Sequence, residues 1–164
     1  MEQRRFRNGE SIFRQGDEST CMYRIESGKV GIFLNYGKPN QTKLTELPAG
    51  QFLGEMGLLD GAPRSAAAVS LSDDTALSVI EAESISRYLN EEPDVMRALL
   101  QQMSTRLRRI SRDCTDACRT VNAVVEAEKA GKTEDPALKN RIAKTLAGFE
   151  ASRLEGREEG GNDA

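Results

Sequence analysis

Between residues 5 and 82 the apolar positions recur at every second residue, in runs too short for helices. Residues 11–14, 21–26 and 29–35 alternate in this way, and Val30, Ile32 and Leu34 share one face of the third run. Glycine-marked breaks separate the runs at Asn8-Gly9, Gly16-Asp17, Ser27-Gly28, Tyr36-Gly37 and Ala49-Gly50, and two further apolar runs follow at 66–71 and 75–80. Many short strands at this spacing predict a β-sandwich or barrel.

After Glu81 the period lengthens. Ser84 is placed to cap a short helix reaching about Leu89, and Pro93 fits the first turn of another. No Gly or Pro interrupts residues 94–130, and Lys129-Ala130-Gly131 supplies a basic last turn with a glycine stop, so this second helix should run roughly 50 Å at about 1.5 Å per residue. Along it Leu100, Met103, Leu107, Ile110, Cys114, Ala117, Val121 and Val124 keep an a/d spacing. A helix that long outruns a small β-domain, which predicts a parallel homodimer covering the second half of the seam. Asp135-Pro136 then opens a further helix with Leu138, Ile142, Leu146 and Phe149 on one face. From Glu155 the chain is polar and glycine-rich, the composition of a disordered tail. The expected organisation is a β-domain with its short helix over 1–92, a long dimerisation helix over 93–131, and a short helix with a polar tail over 132–164.

Composition narrows the chemistry. The 164 residues carry 23 Lys plus Arg against 26 Asp plus Glu, a net charge of -3, so no global field draws the protein to nucleic acid or anionic lipid. Histidine is absent, which removes the commonest acid/base at neutral pH and the commonest ligand of catalytic metals. The three cysteines, Cys21, Cys114 and Cys118, form no Cys-x-x-Cys pair; they fit a reducing cytoplasm, with the latter two expected as small buried residues of the long helix. The charged start and the lack of an apolar run of about 18 residues predict a soluble protein that is not exported and does not meet a membrane.

The segment Gly54-Glu55-Met56-Gly57-Leu58-Leu59-Asp60-Gly61-Ala62-Pro63-Arg64-Ser65-Ala66 is too long for a turn between strands. Its apolar Met56, Leu58 and Leu59 suggest one helical turn packed on a sheet, with free amides near Gly54, Glu55 and Met56. Pro63 stiffens the approach to Arg64, a planar cation suited to bidentate phosphate contact, and Ser65 adds a hydroxyl. Beside a phosphate, Glu55 makes chemical sense as an acceptor from sugar hydroxyls. A plain Glu55–Arg64 ion pair closing the loop explains the same two residues.

The run 54–59 followed by Pro63-Arg64-Ser65-Ala66 resembles the phosphate-binding cassette of the cyclic nucleotide-binding domain family, and Gly9-Glu10, Gly16-Asp17, Met22-Tyr23, Ile25, Gly28 and Val30 match its glycine-marked β-roll. The resemblance spans residues 6–112 and implies a mainly β fold, a double-stranded β-helix of jelly-roll type, followed by a short and a long helix. It implies that Glu55 and the Gly54 backbone hold a ribose 2'-hydroxyl, and that Arg64 and Ser65, with the amides of Met56 and Ala66 nearby, hold a cyclic phosphate. In bacterial members resembling the catabolite activator protein the long helix adds an arginine and a polar base-reading pair. Arg106, and Ile110 with Ser111, occupy those positions. Ser111 fits; Ile110 has no hydroxyl, which leaves the choice between cyclic AMP, the favoured ligand, and cyclic GMP open.

The function implied is a non-catalytic sensor that binds a purine 3',5'-cyclic mononucleotide and relays occupancy through the dimer to a protein partner that the sequence does not identify. The cluster Arg106, Arg108, Arg109 and Arg112 spreads over several helix faces, as solvated charge does, and only one weak helical pattern follows Gly131. No direct contact with DNA is expected. The family match begins at Phe6 without the helix that usually precedes it, as in a minimal member or a fragment. Two rivals remain: a cupin-like metal enzyme, weakened by the missing histidines, and a degenerate dimeric module that binds no nucleotide.

Overall fold

The computed structural model describes residues 2–131 and 135–154, with side chains described up to residue 147. The side chain of Phe149 and the tail expected from Glu155 lie outside the described residues. Two four-stranded antiparallel sheets face each other. One has the strand order β1 (Gln3–Phe6), β8 (Thr75–Glu81), β3 (Cys21–Ser27), β6 (Phe52–Leu53); the other runs β2 (Ser11–Phe13), β7 (Ala67–Ser70), β4 (Lys29–Leu34), β5 (Thr42–Pro48). Their inward side chains make one core, in which Ile25, Leu53, Leu77 and Val79 of the first sheet meet Val30, Leu47 and Ala68 of the second.

The runs expected as strands form β3, β4 and β8, with β8 buried from Thr75 to Ile80 and β4 interrupted by a bulge. Val30 is fully buried and Ile32 packs on the core, but the register shifts between Ile32 and Phe33. That bulge turns Phe33 to a second buried position, where its ring lies 5.1 Å from that of Tyr36. The predicted glycine turns also form. At Gly28 the reason is double: φ is +81°, and a Cβ there would come within 2.9 Å of the Thr75 backbone.

Two strands were hidden by charge. β1 carries Arg4 and Arg5 along an exposed edge and pairs with β8, so the β-domain starts ahead of Phe6. In β5 a glutamate is buried on the face opposite to core residue Leu47: Lys43 Nζ sits 2.6 Å and Lys29 Nζ 3.7 Å from the Glu46 carboxylate. Burial of that carboxylate is compatible with folding only because cations accompany it.

Past β8, a 3-10 turn, Ala82–Ser84, leads into α2 (Ile85–Glu91). Ser84 stands where a cap was expected but does not cap. Its hydroxyl donates back to the Glu81 carbonyl at 3.0 Å, because the tight turn already holds the residue in helical geometry. α3 (Pro93–Lys129) starts at the predicted proline and stops at Gly131, where φ reaches +65°.

The chain divides into two compact units, Met1–Gln102 and Met103–Leu154, with α3 belonging to both. In the second unit α4 (Pro136–Leu154) folds back along α3, and the hydroxyls of Thr120 and Thr145 meet at 2.6 Å. Leu138 is buried and Ile142 half-buried, but Leu146 is exposed.

The exposed positions of α3 differ from the expected seam. α3 leaves Leu107, Ile110, Val121 and Val125 exposed, with Leu107 at 68% and Ile110 at 60%, whereas Ala117 and Val124 are half-covered. Cys114 and Cys118 are exposed rather than buried, because they stand on the uncovered stripe. No helix among the described residues is long and apolar enough to cross a membrane.

Candidate functional site

The segment between β6 and β7 is built on two glycines. Gly54 takes φ +79° at the head of α1 (Glu55–Asp60), and a Cβ there would overlap Nη1 of Arg64. Gly57 is the contact point of α1 with the rest of the domain, since a Cβ would collide with the Ala62 carbonyl and with Ser19. The helix therefore packs chiefly through the buried Gly57 and Glu55, with Leu58 half-buried. Met56 and Leu59, expected against a sheet, are 52% and 51% exposed because that contact turns them outward.

Glu55 is 2% exposed and Arg64 5%, so both charged residues of the cassette lie inside the domain. Arg64 is held by main chain. Nη1 donates to the Gly54 carbonyl at 2.7 Å and Nη2 to the Cys21 carbonyl at 2.6 Å, with Cys21 Sγ at 3.7 Å. The guanidinium stacks on the Phe13 ring, 4.3 Å from its centroid. Its backbone is fixed as well: the amide donates to the Asp17 carbonyl at 2.8 Å and the carbonyl accepts from the Gly16 amide at 2.9 Å. Among the described residues these side-chain bonds go to carbonyl oxygens, not to a carboxylate. The Nε–H is buried without a partner, and so is the Ser19 hydroxyl beside Gly57.

Such a group is unusual. A cation this deep is normally matched by an anion, and buried polar groups normally find acceptors. The packing around Arg64 extends to Tyr23, whose ring stacks on Phe13 with centroids 6.1 Å apart. Burial first, and then its contact with Cys21, pushes the Tyr23 phenol up to about 12.

Gly54, Glu55, Met56, Arg64, Ser65 and Ala66 thus come together in one segment of the first unit, with Ser65 exposed and Ala66 buried. Arg106, Ile110 and Ser111 lie on the part of α3 that belongs to the second unit. Arg106 is half-buried there, and Ile110 and Ser111 are exposed. Sequence reasoning overlooked Phe13, the platform under Arg64, and Ser19. It also overlooked Gln102, whose side-chain amide bonds both backbone groups of Phe52, at 2.9 and 2.7 Å. The visible signal for Gln102 is a polar residue one turn beyond buried Leu99 on the same helix face. No group of three or more Cys, Asp or Glu among the described residues is arranged to hold a metal ion.

Comparison with known proteins agrees with this architecture. The "Cyclic nucleotide-binding domain" family matches residues 3–92. The Cyclic AMP receptor protein of Thermus thermophilus is 35% identical over 108 residues, covering 66% of this chain and 50% of that protein, so the chain spans about half of that relative's length. A CRP-like cAMP-activated global transcriptional regulator of Mycobacterium tuberculosis is 25% identical over 92% of this chain and 69% of its own. Among solved structures, the Thermus thermophilus Catabolite Activator Protein superposes with a TM-score of 0.62 at 26% identity, covering 92% of this chain and 78% of that one. A cGMP-bound form of the EAL enzyme Bd1971 gives 0.51 at 28% identity over 79% of this chain and 34% of its own. With a family match across more than half its length and two facing sheets followed by a long helix, the chain belongs to the cyclic nucleotide-binding domain family.

Proposed function

We propose that this chain is a non-catalytic sensor of a purine 3',5'-cyclic mononucleotide, cyclic AMP in preference to cyclic GMP. The observation that carries the reading is Arg64: a guanidinium 5% exposed, bonded to two carbonyls and stacked on Phe13, with Nε–H unpartnered. A cation oriented by the main chain and lacking a carboxylate partner among the described residues is prepared for a phosphate. Glu55 and the Gly54 backbone take the ribose hydroxyl in this reading, and Ser65 with the Met56 and Ala66 amides completes the phosphate contacts. Arg106, Ile110 and Ser111 supply the side facing the base.

The chain works as a homodimer. The exposed stripe Leu107, Ile110, Cys114, Cys118, Val121 and Val125 on α3 follows the 3–4 spacing that a second helix covers. Occupancy passes along α3 to a protein partner. DNA is not contacted directly, and the protein acts in the cytoplasm.

Calorimetric titration of the purified chain with cyclic AMP and cyclic GMP, together with metal analysis, tests the assignment. Saturable binding of one equivalent of nucleotide per chain without bound metal is expected. Stoichiometric metal would favour a cupin-like enzyme, and a folded dimer that binds neither nucleotide would favour the degenerate module.

A further inference from the structure

β6 is an edge strand. On one side it pairs with β3, with Leu53 opposite Tyr23 and Phe52 opposite Arg24; on the other side its sheet ends. In an antiparallel pair, residues alternate between turning their backbone groups toward the partner strand and away from it. The neighbouring Gln51 carbonyl accepts from the Ile25 amide at 2.9 Å, so Phe52 directs its own N–H and C=O outward. A buried edge residue with both groups open would forfeit two hydrogen bonds.

Gln102 closes that edge. Its Oε1 accepts from the Phe52 amide at 2.9 Å and its Nε2 donates to the Phe52 carbonyl at 2.7 Å. A primary amide offers the same donor and acceptor pair that a further strand would. Asparagine is one methylene shorter. Glutamate would set a second acceptor against the carbonyl, and methionine fills the space with neither group. The clasp lies two residues before Gly54 and one turn beyond Leu99, which anchors the start of α3 in the same unit.

We propose that Gln102 is a positioning residue: its two bonds to Phe52 join the strand that enters the cassette to the start of α3, so that nucleotide occupancy of the cassette is transmitted to the helix. The role rests on the cyclic nucleotide reading above. Its logic is geometric. A shift of the cassette entrance relative to α3 must break both bonds of one amide together, so strand and helix move as one body or the clasp is lost. Occupancy that favours one cassette position then favours one position of α3.

The test compares the full chain with Gln102→Met and Gln102→Asn by calorimetry with cyclic AMP and by amide hydrogen exchange. In the wild type, nucleotide should slow exchange in residues 54–66 and change it in residues 96–110. In Gln102→Met, cyclic AMP should bind about tenfold more weakly, still protect residues 54–66 at saturation, and no longer alter residues 96–110. Gln102→Asn keeps the amide chemistry but falls short of Phe52, so it serves the same purpose if the methionine variant loses the fold. A purely structural role would lower thermal stability and leave the α3 response intact in whatever fraction is folded. Retention of that response in a folded variant overturns the proposal. A wild type that binds no cyclic nucleotide overturns the sensor reading itself and this role with it, and that failure is visible before any variant is made.

Discussion

Replacing Arg64 with alanine separates its two tasks. Without ligand, the substitution leaves the carbonyls of Gly54 and Cys21, bonded at 2.7 and 2.6 Å, without their donors. Each orphaned acceptor costs about 1–3 kcal/mol when water cannot reach it. Against that, a cation 5% exposed no longer has to be kept out of water, a relief of several kcal/mol in the same direction as replacing a buried charge by an apolar group. The two nearly cancel, so the ligand-free Arg64→Ala domain should melt within a few degrees of the wild type. With ligand the balance is one-sided. Charge-assisted bonds to a phosphate contribute about 1.5–3 kcal/mol, and losing them weakens binding by roughly 10- to 150-fold. Arg64→Lys keeps the charge without the planar fork and should fall between. Thermal melts with and without cyclic AMP read both quantities, because a ligand at about one hundred times its dissociation constant stabilises the wild type by about 2.7 kcal/mol. Near-normal nucleotide affinity in Arg64→Ala would refute the phosphate role. A large fall in ligand-free stability would instead identify Arg64 as a structural strut.

Ile110→Thr should tighten binding of cyclic AMP by a few-fold to about tenfold, as one added hydrogen bond of about 0.5–1.5 kcal/mol does, and an unchanged titration would place Ile110 away from the base. Leu107→Asp combined with Val121→Asp should split the dimer and lower nucleotide affinity; sedimentation of the wild type as a monomer at tens of micromolar would end the dimer reading. The Tyr23 phenol, raised from 10.0 to about 12 by burial, loses its proton later in the folded chain than in the unfolded one. Stability from neutral Tyr23 is therefore complete below pH 10 and declines as the pH rises to 12, by about 2–3 kcal/mol at most. Urea melts across that window, beside tyrosinate absorbance, check the sign, and a flat profile would mean Tyr23 titrates like an exposed phenol.

The parts of the fold that were legible share one property: their burial is made by apolar side chains. β3 and β8 stand out as mainly apolar runs bounded by turn residues, and α3 announces itself by Pro93, by Gly131 and by the unbroken stretch between them. The parts that were hidden use other means. β5 buries Glu46 behind two lysines, and β1 presents arginines along an exposed edge, so neither carries a hydrophobic alternation to find. α1 was foreseen as a helical turn, but its contact residue is Gly57, and a glycine carries no hydrophobic label that could say which side faces in. The seam on α3 was legible as a period but not as a face: Ala117 and Val124 are half-covered, whereas Cys118 and Val125 stand exposed beside them.

The same shortage of apolar contact gives the cassette its character. α1 is six residues long, turns Met56 and Leu59 outward and meets the domain at a glycine, so hydrophobic burial contributes little to fixing it. β6 is two residues long and lies at an edge. Beside the buried side chains of Phe52 and Leu53, polar contacts position the segment: Arg64 to the Gly54 and Cys21 carbonyls, and Gln102 to Phe52. Each is worth about 0.5–3 kcal/mol, comparable to the 1–3 kcal/mol typical of coupling between sites. A segment pinned by a well-packed apolar face would need far more than one ligand's differential affinity to move. On the proposed reading, a phosphate that engages Arg64 competes with contacts of its own strength.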